Sequence, residues 1–278
     1  MLEALSLPFM QRALLAGLLI AFTTSYFGVF VVQRSLAFMG SGLAHAAFGG
    51  VALGLLLEHE PLWIAVPFTI IVAILITWVR DHTRLAADTV IGVFFAFAMA
   101  LGIVFLSMRT SYSADAFTYL FGSILAVQAI DLWFAGLVAL LTLLSIPLWS
   151  RWAYATFDRE AARADGLNVL AHDYLLAIAI AVAVVVAVKV IGIVLLSAFL
   201  VIPAAAARLL ANRFASMTTF AVGLSLLTVV AGVLASYEFD IPTGATIILA
   251  QVAAFALALL TSIALRRQRI RRARQMTP

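Results

Sequence analysis

The sequence predicts an all-α polytopic membrane protein. Three observations carry that prediction: the composition, the length of the apolar runs and the placement of the arginines. Of 278 residues, 65% are hydrophobic and 11% charged, whereas a soluble domain carries about a quarter charged residues. Apolar runs recur along the chain at the length of roughly 20 residues needed to cross about 30 Å of hydrocarbon as helix. The arginines cluster between alternate runs, as in polytopic proteins with one cytoplasmic side. The composition also excludes chemistry. There is no cysteine, hence no disulfide framework, zinc knuckle or thiol catalysis. The net charge of +4 implies no nucleic acid, because six of the seventeen basic residues lie in the tail 266–278 and most others mark loops.

Taken in order, Met1 to Gln11 holds Glu3 and lacks a basic start, so it reads as a lead into the first span rather than a cleavable signal. Spans follow near 13–32, 36–57, 62–79, 90–107 and 130–149. The stretch 174–207 is too long for one span, so it is divided at Lys189, the only lysine, which can snorkel to an interface from a helix end. Spans near 218–236 and 245–265 complete nine, with eight as the alternative. An outer N-terminus then puts Arg34, Arg80, Arg84, Arg151, Arg159, Arg163, Arg208, Arg213 and six tail arginines inside, leaving Arg12, Arg109 and Lys189 outside. That asymmetry favours nine spans. The domain expectation is one transmembrane unit over 1–265 with a basic cytoplasmic tail, 266–278.

Two connections are long. The outer one, 108–129, contains the short apolar piece "YLFGSIL", read as a small helix at the outer face. The inner one, 150–173, contains "DREAARADG", which opens on Asp158 and ends on Gly166, matching helix start and stop preferences. It is expected to be a short docking helix, with a solvated loop as the alternative.

Polar residues inside spans are costly and therefore candidates for function. His45 lies mid-span on a helix rich in Gly, Ala and Ser, where Ser41, His45, Gly49 and Ala52 share a face. It is either a hydrogen-bond bridge between packed helices or a ligand. Gly50 and Gly54 on the same helix fit a small-xxx-small packing motif. Asp240 precedes Pro242, Thr243 and Gly244, with Gln251 further along; the acid either caps a helix or offers oxygen to a cation. Asp88 reads as an N-cap with Thr89, and "EHE" at 58–60 as a solvated turn. No P-loop signature occurs, so ATP is not bound here in that way. No nucleophile-base pair supports an intramembrane enzyme, and neither repeats nor enough charges support an ion-coupled secondary transporter.

Five stretches then fall in order: "QRSLAFMGSGLAHAAFGGVAL", "DTVIGVFFAFAMALGIVFLS", "FDREAARADGLNV", "VKVIGIVLLSAFLVIPAAAARLLA" and "FDIPTGATIILAQ". Together they resemble the permease subunit of ABC-type zinc/manganese/iron importers, over about Phe9 to Leu265. The resemblance implies a cobalamin-importer-like architecture in a bacterial inner membrane. It also implies a homodimer of permease chains, two ATPase subunits that hold the ATP and an extracytoplasmic metal-binding protein. It makes 157–169 the coupling segment, with Phe157, Asp158, Glu160, Ala161 and Gly166 as coupling residues. It makes His45 and Asp240 metal ligands with Ser41 beside them, and Gly49, Thr243, Gly244 and Gln251 lining of the pathway. Members often carry Asp where this chain has Ser41, so a neutral oxygen replaces a charge. One imidazole and one carboxylate favour zinc, with manganese and iron next. A permease for a metal chelate is the runner-up.

Overall fold

The computed structural model describes residues 7–109, Gly122 and residues 127–275, with side chains as far as Gln268. Every regular element among them is helical: α1 (Pro8–Gln33), α2 (Ala37–Leu56), α3 (Pro61–His82), α4 (Ala87–Ser107), α5 (Ala129–Leu144), α6 (Ile146–Phe157), α7 (Arg159–Ala164), α8 (Val169–Ile191), α9 (Ile193–Leu210), α10 (Phe214–Phe239) and α11 (Thr243–Gln275). Eight are long and apolar enough to span, and α5 with α6, bent by 65° between them, is a broken span or a re-entrant hairpin. The helices thus give eight spans, the alternative count, or the expected nine where the bent pair crosses as one. The outer "YLFGSIL" expectation lies outside the described residues apart from Gly122.

Three boundaries differ from expectation for identifiable reasons. The span expected at 130–149 stops at Leu144 because Pro147, in the first turn of α6, cannot donate to the preceding turn. The division of 174–207 falls at Gly192, not Lys189. Gly192 has φ +90 and ψ 150, a conformation open to glycine but not to lysine. Helix α11 runs to Gln275 without a break, so the basic tail begins as a continuation of the last span.

Two packed groups build the molecule. Helix α2 packs on α3 and α4, with α8 against α3; α1, α9, α10 and α11 form the second group, and α2–α9 and α1–α8 contacts join them. Helix α2 is the least apolar of the eight candidate spans and also the most buried, while α4 and α11 are the most peripheral. Its glycines explain the burial. A Cβ on Gly50 would lie 2.6 Å from the Ala65 Cα, and one on Gly54 2.8 Å from the Pro61 Cα. Without side chains there, α3 approaches backbone to backbone, which is how helices associate where lipid removes the hydrophobic drive. Gly28 of α1 is closer still to α9, where a Cβ would overlap the Leu200 carbonyl.

Candidate functional site

His45 sits eight residues beyond the first residue of α2, about 12 Å along the axis at helical rise. Its ring is half-buried, lies against Phe95 of α4 at a centroid distance of 4.3 Å, and has Nδ1 2.9 Å from the Ser41 carbonyl oxygen. A carbonyl only accepts, so Nδ1 carries the hydrogen and Nε2 of the neutral ring keeps its lone pair. His45 makes no hydrogen bond to another helix among the described residues. The ring is thus oriented by its own helix, the arrangement that second-shell partners give to metal-binding imidazoles.

One turn earlier, Ser41 lines an open groove of about 630 Å³ between α2, α9 and the start of α4. Ser35, Phe38, Asp88 and Ser197 also line it. Asp88 corrects its sequence reading: Ala86 is the N-cap, and Asp88 lies exposed in the first turn of α4. It is the one carboxylate among the groove's lining residues. The sequence signal for it was only an acid near a helix start.

The other expected site residues lie elsewhere. Asp240 caps α10 in the left-handed region at φ 53 and is exposed beyond the helix end. The Ser236 hydroxyl donates to the Ile241 carbonyl at 2.6 Å and lies 2.8 Å from the Thr243 hydroxyl, which locks the turn into α11. Gly244 sits against Leu195 of α9, and Gly49 is buried under the Ala98 carbonyl and the Phe68 ring. Gln251 is wholly buried with both amide atoms unpartnered among the described residues. None of Gly49, Thr243, Gly244 and Gln251 is a groove-lining residue. His45 is mid-helix and Asp240 is at a helix end, on elements that do not pack extensively on each other. No group of three or more His, Asp or Glu suited to a metal occurs among the described residues of one chain.

The inner segment forms the short helix α7. Asp158 caps it, accepting from the Ala161 N–H at 2.9 Å, and Gly166 at φ +82 ends it. The Tyr154 hydroxyl donates to Asp165 at 2.6 Å across its base. Phe157, Asp158, Glu160 and Gly166 are exposed and Ala161 half-buried. Phe157 meets Phe214 edge to face at 5.4 Å.

Two charge clusters were not anticipated. Asp173, buried at 8% exposure, binds Arg34 at 2.5 Å and Arg159 at 2.8 Å. Lys189 does not reach an interface alone: it pairs at 2.7 Å with buried Asp131, whose other oxygen accepts from the Gln128 N–H. The "EHE" turn is exposed, with Glu58 at φ 56.

The family model described as the ABC 3 transport family matches residues 6–262. The chain is 32% identical over 248 residues to the high-affinity zinc uptake system membrane protein ZnuB of Haemophilus influenzae, covering 89% of this chain and 95% of that one. It is 34% identical over 257 residues to the manganese transport system membrane protein MntC of Halalkalibacterium halodurans, covering 92% and 88%. The solved structure of PsaBC from Streptococcus pneumoniae in complex with Fab superposes with a TM-score of 0.82 at 30% identity, covering 92% and 93%.

Proposed function

The chain belongs to the ABC 3 transport family, and from that premise we propose that it is the permease of an ATP-driven importer of divalent metal ions, with zinc as cargo. It is a multi-pass protein of the bacterial inner membrane and a transport subunit, not an enzyme. The observation that carries the reading is His45: an imidazole halfway along the most buried span, with Nδ1 engaged and Nε2 available, one turn from a groove lined by hydroxyls and one carboxylate. Imidazole suits zinc, and replacing the family's frequent Asp by Ser41 leaves a donor set poor in charge. A weak site serves an importer, because an ion must also leave. Zinc takes about four ligands, more than one chain gathers at His45; water, Ser41 and the facing copy of a homodimer supply the rest. Asp240, at the far end, serves as an earlier station on the same route. Two ATPase subunits dock on α7, and an extracytoplasmic binding protein delivers the ion for alternating access. Manganese is the second reading, favoured by the similarity to a manganese system protein.

The test is uptake of labelled zinc and manganese by vesicles holding the permease, its ATPase and its binding protein. His45→Ala is expected to reduce uptake to background while insertion stays normal; wild-type uptake by the inserted variant would remove His45 from the mechanism. The metal that competes best for transport identifies the cargo. For docking, reversing charge at Asp158 and Glu160 to Lys should release the ATPase on co-purification.

A further inference from the structure

We propose that Asp173 is a positioning residue that ties α7 to the turn between α1 and α2, carrying movement of the docking segment to the groove. This rests on the reading of α7 as the docking element. One buried carboxylate meets two guanidiniums from different elements: Oδ1 accepts from Arg34 and Oδ2 from Arg159. Among the described residues, helix α7 packs chiefly on α6 and α8, through the small cluster of Ala155, Ala162 and Val169. The chain Arg159–Asp173–Arg34 is a charged link from it to the end of α1.

Arg34 is also the residue where α1 ends. Its Nε donates to the Thr156 hydroxyl at 2.8 Å, adding α6 to the junction. The next residue, Ser35, has φ 56, and the Leu36 N–H donates back to the Val31 carbonyl at 2.8 Å. So short and closed a turn has little slack. A shift of Arg34 passes to the first turn of α2, and a rigid helix carries it on to Ser41 and His45. Ser35 and Ser41 both line the groove. Arg80 of α3 lies close enough to feel the charges of Asp173, Arg34 and Arg159, and stability alone gives no reason for such a cluster, since desolvation offsets much of the attraction in a buried ion pair.

The experiment uses the complete importer in vesicles and reads metal transported per ATP hydrolysed. Arg159→Gln is the main variant, because the Arg159 side chain is 41% exposed and its loss leaves Asp173 paired with Arg34. The ratio is expected to fall about tenfold, within the range of allosteric couplings, with the ATPase still co-purifying and Arg159→Lys close to wild type. Asp173→Asn should lower the ratio likewise. A wild-type ratio in Arg159→Gln overturns the proposal, as does equal impairment by Arg159→Lys. Loss of the ATPase from Arg159→Gln also overturns it, since Arg159 would then act in docking. Failure of the docking reading is seen separately, as undiminished pull-down after charge reversal at Asp158 and Glu160.

Discussion

Ser41 contributes twice at the residue scale: its carbonyl fixes the tautomer of His45, and it lines the groove. Ser41→Asp keeps the first contribution and adds a charge to the second. Zinc uptake kinetics should show KM and maximal rate falling together, since a tighter site releases its ion more slowly; an unchanged KM would place the side chain off the route. The Lys189–Asp131 pair makes a different prediction. Asp131→Asn leaves a partly buried ammonium without its counterion and should cost about 3 kcal/mol, read as a lower thermal midpoint in detergent. The double variant Asp131→Leu with Lys189→Met should recover most of it. His45 was legible in the sequence because an imidazole in an apolar run is conspicuous whatever the fold. Asp173 and Asp131 were not. The Arg34–Asp173 pair spans 139 residues, and no local periodicity reports a partner that distant. The same neutralisation hid the start of α8, because His172 and Asp173 looked like loop residues until Arg34 and Arg159 balanced the acid.

Elements were legible to the extent that they obey length and hydropathy. The break between α5 and α6 was not, because one proline decides it within a largely apolar run. Helix contacts depend on a finer feature, the glycines, whose value is set by what lies opposite. Gly28→Ala would drive a methyl into the Leu200 carbonyl and must separate α1 from α9. Overpacking of this kind costs about 1–3 kcal/mol. Gly136→Ala, in α5, meets nothing within 4 Å and should stabilise by about 0.5–1 kcal/mol through helix propensity. Thermal melts of the two variants should move in opposite directions. Equal shifts would mean that the α1–α9 approach is looser than described.

For the whole molecule, the proposed homodimer would place its second copy over the groove. In that proposal Ser41 and His45 lie at the junction, and the face of α2, α4 and α9 would turn inward. The chain lacks cysteine, which makes the test free of background. A single cysteine at exposed Phe38, on the groove, should form a disulfide dimer on oxidation. One at exposed Trp133 of α5, which packs on α1, α6 and α8 away from the groove, should not. Disulfides need Cα atoms within about 7 Å, so the readout is strict. The burial of α2 reaches beyond transport, into biogenesis. A nascent chain enters the bilayer segment by segment, and each segment is retained by its own apolar transfer energy. The least apolar span is also the one most enclosed by later-made helices α3, α4 and α9. Chains truncated just after Leu56 should therefore leave α2 poorly retained at the translocon, until α3 and α4 and, more than a hundred residues later, α9 secure it.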